Sequence, residues 1–132
     1  MTTKLLNTLG TVEPDNLVVG TDPALRTGNA LLRKNSGELK RGTVLAKSSK
    51  DATLVILGTE ASDDTGGETF EAYGILADDI TVPVDEDVNA VIYIGGKFNS
   101  RRIVVKSGYN ITEADKDTLR KYGIEFSAAD TN

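Results

Sequence analysis

From Leu17 onward the chain is cut into short apolar runs, each closed by glycine or a polar turn. No other feature constrains the fold as much, because such runs, rich in Val, Ile, Leu and Thr, read as strands and not as helices. The expected strands are residues 17–20, 30–33, 42–47, 53–58, 69–77 and 82–84, then 89–94, the strongest, and 101–106. Asn35-Ser36-Gly37 marks a turn, since Asn and Gly tolerate positive φ. Pro83 confines its run to an edge or a strand end. Gly95-Gly96 closes the strongest strand and reads as a bend or bulge. Val91, Tyr93, Ile103 and Val105 alternate with residues destined for the opposite face.

One helix interrupts this pattern. Thr112 is a good N-cap and Asp115, three residues on, makes a variant of the capping box. Glu113, Asp115 and Asp117 crowd the start while Arg120 and Lys121 lie near the end, as the helix dipole favours. Ala114, Thr118, Leu119 and Tyr122 form a weak apolar stripe, Gly123 reads as the residue that stops the helix, and residues 124–126 as a last short strand. The expected class is therefore α+β but β-rich: a small mixed β-sheet or barrel-like domain with one main C-terminal helix. Residues 1–16, rich in Thr and Asn with Leu5, Leu6 and Leu9 as apolar points, read as a flexible N-terminal arm before a single domain over 17–132.

Composition narrows the chemistry. The chain has no Cys and no His, which removes disulfides, thiolate sites, the commonest metal ligand and every Ser-His or Cys-His arrangement. Aromatics make up only 5%, so the core rests on Val, Ile, Leu and Ala, and oligomerisation would supply buried surface that large anchors do not. No apolar window reaches transmembrane length, and no membrane partner is expected. The start, MTTKLLNTLG, lacks the features of a signal peptide and reads as that of an intracellular or virion protein.

Charge is segregated. Residues 51–96 hold eleven acidic residues and no Lys or Arg, whereas residues 97–110 hold four basic and no acidic. Such blocks are commonly solvated faces, and otherwise complementary surfaces that meet between subunits or against a partner. Nucleic-acid binding is disfavoured by the net charge of −5 and by the few aromatics among the basic residues.

The individual motifs favour structure over chemistry. Asp63, Asp64 and Glu68 do not follow EF-hand spacing and read as a solvated loop. Glu113, Asp115 and Asp117 point to different sides of the helix, and capping accounts for them. Lys47-Ser48-Ser49-Lys50 lacks the S-x-x-K spacing and reads as a polar turn. Asn110-Ile111-Thr112 matches a glycosylation sequon, but the N-cap explains Thr112. Gly95-Gly96 has neither the helix nor the third glycine of a nucleotide loop. No catalytic residue, metal ligand or cofactor site is expected.

Four blocks carry a family resemblance: residues 37–47 (GELKRGTVLAK), residues 73–77 (YGILA), residues 90–99 (AVIYIGGKFN) and residues 111–126 (ITEADKDTLRKYGIEF). In order and spacing the set resembles the lambda-type phage head decoration proteins over about residues 30–126. The N-terminal region has no clear match, and the chain lacks the Trp of some members. The resemblance implies a non-enzymatic structural protein of the virion. It would bind the outside of the expanded head as a homotrimer at threefold positions, having met the head in the host cytoplasm during assembly. Its partners would be the major capsid protein and itself. The arm, through Thr2, Thr3, Lys4, Leu5, Leu6, Thr8 and Leu9, would pair with a capsid strand. The alternative reading is a small β-barrel that binds a ligand or partner unrelated to capsids.

Overall fold

The computed structural model describes residues 17–20, 24–60 and 68–127. The elements run β1 (Val18–Gly20), β2 (Arg26–Leu32), β3 (Gly37–Leu39), β4 (Val44–Ser48), β5 (Leu54–Ile56), β6 (Phe70–Leu76), β7 (Ile80–Val82), β8 (Val88–Asn99), α1 (Glu113–Lys121) and β9 (Ile124–Ser127). The fold is β-rich with one helix among the described residues, as expected.

Strands β8, β2, β5, β4 and β6 pair in that order, and β6 pairs back onto β8 to close a five-strand barrel. Closure leaves these strands few bare edges. Alternation sorts their side chains to two sides. Leu32, Leu45, Leu54, Leu76, Ala90 and Ile92, drawn from all five strands, fill the interior with Leu39 and Val82 of the small β3–β7 ribbon. Val44 and Ala46 of β4 and Ala72 and Ile75 of β6 face outward, under a second core made by Leu17, Leu57, Phe98, Leu119 and Ile124. Part of the outside stays bare: Leu31 on β2 and Val91 on β8 are each 45% exposed.

The long strand β8 belongs to both layers. Gly95-Gly96 does not close it, contrary to expectation; the strand continues to Asn99. The expected bulge is present, since Arg26 opposes Gly95 while Thr27 opposes Tyr93, which leaves Ile94 over. Gly96 has φ +136°, and beyond it β8 lies between β1 (antiparallel) and β9 (parallel). The glycines that looked like a stop are the bend that carries β8 into the second layer.

Two other expectations are corrected. Residues 101–106 form no strand; Val104 makes only an isolated parallel bridge to Thr43. Their alternation has another cause: Ile103 and Val105 pack on the outer core while Val104 is 40% exposed. Strand β2 starts at Arg26, four residues before the expected 30–33, and its extra residues are mostly exposed and polar. Strand β3, which was not expected, starts at Gly37, the last residue of the expected turn, and β7 ends at Val82, directly before Pro83.

The helix follows its sequence signals closely. Thr112 Oγ1 accepts from the Asp115 N–H, and the Asp115 carboxylate accepts from the Thr112 N–H, completing the capping box. Tyr109 donates to the same carboxylate. Of the apolar stripe only Leu119 is buried; Ala114 and Tyr122 are exposed. Gly123 has φ +97° and ends the helix.

Candidate functional site

Among the described residues the reactive groups do not converge. Ser48 Oγ donates to Glu68, while the Lys47 ammonium lies 5.0 Å from the centre of the Tyr73 ring, so this serine and lysine do not act on each other. A surface hollow of about 680 Å³ runs beside them, lined by Lys50, Thr69, Glu71 and Tyr122 among others, with no nucleophile–base pair in it. Glu113 pairs with Lys116 and Asp117 with Arg120, each along the helix surface. No group of three or more Asp or Glu side chains among the described residues is placed to hold a metal ion.

The polar cluster that does form is structural. Glu68, read from sequence as part of a solvated loop, is 7% exposed. Its Oε2 accepts from Arg33 Nη2 at 2.5 Å and from Ser48 Oγ at 2.5 Å. Arg33 also donates to Thr53 and Asp51, and its guanidinium lies 5.4 Å from the centre of the Phe70 ring. The hydrogen bond from Arg33, with that from Ser48, holds the Glu68 carboxyl below the usual carboxylate range. Thr53, through hydroxyl and N–H, lowers Asp51 to about 2. The cluster ties the ends of β2 and β4 to the approaches of β5 and β6. Asp63 and Asp64 lie outside the described residues.

Other members of the acidic block also hold backbone and are not merely a solvated face. Asp79 accepts from the Arg41 N–H and Asp87 from the Lys34 N–H, which joins in pairs the connectors between the β3–β7 ribbon and the barrel. Nothing local in the sequence announces these contacts, because the partners are 38 and 53 residues apart.

A surface, and not a cleft, remains as the candidate site. The arm residues Thr2, Thr3, Lys4, Leu5, Leu6, Thr8 and Leu9 lie outside the described residues. The described residues begin at Leu17. Leu17 is 1% exposed in the outer core, and its carbonyl accepts from the Asn99 N–H. Val18 then opposes Phe98, and Gly20 opposes Lys97. Leu17 is thus held at the end of β8, where among the described residues β8 lies between β1 and β9.

The four sequence blocks meet in space. Residues 37–47 supply β3 and most of β4, residues 73–77 the end of β6, residues 90–99 most of β8, and residues 111–126 the helix and β9. β4 pairs with β6, β6 with β8 and β8 with β9, while α1 packs on β6. No curated protein matches the chain. A family model, that of the bacteriophage lambda head decoration protein D, matches residues 7–124, ending at the first residue of β9. With the whole barrel and the helix inside that match, the chain belongs to the bacteriophage lambda head decoration protein D family.

Proposed function

We propose that the chain is a non-enzymatic staple of the phage head. It binds the outside of the expanded head as a homotrimer at threefold positions, after assembly in the host cytoplasm, and its partner is the major capsid protein. In this reading residues 1–16 are an arm, residues 17–132 a single domain, and Thr2 to Leu9 pair with a strand of the capsid protein. The observation that carries the proposal is the continuous family match over residues 7–124, which includes part of the arm as well as the barrel. The chemistry agrees: the chain has no His and no Cys, and the buried carboxylate of Glu68 serves strand ends. Pairing through the backbone suits an arm of undemanding composition, since main-chain hydrogen bonds provide affinity with little call on side chains. Three arms on one trimer would add avidity without a strong single contact.

The test is titration of the protein onto expanded, undecorated heads of the phage that encodes it, with light scattering on the free protein. Saturable binding, three chains to each threefold position, supports the proposal. A barrel that ignores heads and binds a small molecule or another protein would put the alternative module in its place. A stable dimer would remove the threefold arrangement while leaving decoration intact.

A further inference from the structure

One face of the barrel combines half-bare apolar side chains with a complete lack of charge. Alternation turns Thr27, Asn29 and Leu31 of β2 and Asn89 and Val91 of β8 outward, and all five are exposed. Asn29 stands opposite Val91 and Leu31 opposite Asn89, so amide and apolar groups alternate across the two strands. Leu31 and Val91 each keep 45% of their surface in the open.

Charge begins at the rim and is of both signs. At the start of β2, Arg26 donates to the Ile94 and Tyr122 carbonyls. On the β6 side Arg41 donates to the Ala77 carbonyl and the Tyr93 hydroxyl, its N–H goes to Asp79, and Asp78 stands exposed just past β6. Lys47 and Asp51 border a hollow beside Leu31; Lys47 lies over the Tyr73 ring and Asp51 accepts from Thr53 and Arg33. Past β2 the exposed Lys34 faces the connector that leads into β8, which carries Asp85, Glu86 and Asp87, the last bound to the Lys34 N–H.

In a threefold ring the surface nearest the axis meets copies of itself. A charge there is brought against its own sign, which costs several kcal/mol. Leucine and valine have no such conflict, and an amide carries donors and an acceptor, so it can bond its own copy. We infer that the β2–β8 face, through Asn29, Leu31, Asn89 and Val91, turns towards the threefold axis and meets the same face of two further copies of this chain. Away from the axis, different edges of neighbouring copies meet, and there a rim of both signs can pair. An uncharged centre inside a polar rim is also the usual anatomy of a subunit contact. The inference rests on the proposed trimer and names the surface that closes it.

The experiment is sedimentation velocity of the full chain over a range of concentrations. It compares wild type with Leu31→Lys/Val91→Lys, with Asn29→Lys and with Val104→Lys. The first two gather like charges at the axis, and each should need at least ~10-fold more protein than wild type to form the trimer. High salt should narrow that gap. Val104, 40% exposed beside Thr43 and away from the face, takes the same charge as a control and should assemble as wild type does. Far-UV circular dichroism checks folding, and Asn29→Lys, which removes no apolar contact, carries the test if the double variant does not fold. If the free wild type is monomeric, the comparison moves to expanded heads. The chain has no Cys, so Val91→Cys carries its sole thiol, and a short bis-maleimide should join copies of the chain to each other there. Linkage to the capsid protein instead, or no linkage to another copy, overturns the inference. A trimer that both lysine variants leave intact overturns it while the decoration reading stands, and so does a dimer. If wild type neither associates nor binds heads, the decoration reading falls and the face with it.

Discussion

Arg33 and Glu68 meet at 2.5 Å across 35 residues of sequence, and through them the ends of β2, β4 and β6 are joined at one carboxylate. The contact raises the Arg33 pKa above its ordinary value, and its hydrogen bond is the main cause of the lowered Glu68 pKa. Asp51, beside them, is lowered to about 2 by Thr53. A group whose pKa is depressed in the folded state contributes stability that is present above its unfolded pKa and is lost as pH falls through the folded value.

Stability should therefore decline in acid. For Asp51 the loss should run from about pH 4, near the ordinary carboxylate value, to about pH 2. Glu68 should add to the decline in the same direction. Thermal midpoints measured between neutral pH and pH 2 would show it. Asp51→Asn and Glu68→Gln should each lower the midpoint at neutral pH and flatten its acid dependence. A Glu68→Gln profile parallel to wild type would mean that this carboxylate contributes no pH-dependent stability.

The helix ends allow a graded test. Thr112→Ala removes the hydroxyl that accepts from Asp115, at a cost of about 1 kcal/mol. Gly123→Val should cost more. Gly123 sits at φ +97°, where a side chain costs about 1–2 kcal/mol even before β-branching, and its Cβ would meet Arg26 Nη2 at 2.7 Å. Arg26 would have to swing away and lose its bond to the Tyr122 carbonyl at the helix end. Urea midpoints for the two variants should fall in that order, and the reverse order would remove the argument from backbone strain.

Gly58 should be less replaceable than a glycine in open space. It has φ +106°, and a Cβ there would lie 2.7 Å from Tyr109 Cβ and Cγ and 2.9 Å from Lys106 Cβ. Those atoms are close to their own backbone and cannot rotate aside. Gly37, at φ +74° with nothing within 4 Å, shares the backbone cost without the crowding. Gly37→Ala should therefore cost about 1–2 kcal/mol. Gly58→Ala should cost a further ~1–3 kcal/mol from overpacking. Equal losses in chemical denaturation would show that the segment carrying Tyr109 yields freely.

What the sequence made legible follows from how local each signal is. The helix was readable to within a residue because Thr112, Asp115 and Gly123 act on their own neighbours. Most strands were readable because alternation and turns are also short-range. Gly95-Gly96 misled in part, since a glycine pair looks the same whether it ends a strand or bends one that continues. Residues 101–106 misled because alternation reports burial, and a segment packed on a core alternates without a ladder. The role of Glu68 was illegible: its partner Arg33, just past β2, is 35 residues away, and an acidic residue in an acidic stretch gives no sign of burial. At the candidate site the strand-compatible composition of residues 1–16 was visible from the start, but the holding of Leu17 and Val18 at the end of β8 depends on their meeting Asn99 and Phe98 through the fold.

The last prediction concerns the head itself. A protein that binds the expanded shell and not its precursor stabilises that shell by mass action wherever its site exists. Adding this chain to expanded heads should raise their resistance to heat or chelator, and the gain should level off as the threefold positions fill. Deleting residues 2–14 should leave the barrel folded, because Leu17, the first side chain of the described core, is retained. The same deletion should sharply weaken head binding, since a trimer without arms loses strand pairing and avidity together. Protection of the heads should then fall in step with occupancy, measured on the same samples by sedimentation. If the truncated protein saturates the heads as wild type does, the arm is not the attachment. If wild type saturates them and they melt as undecorated heads do, the chain coats the shell without stapling it, and stabilisation must be dropped from the proposal even though the location survives.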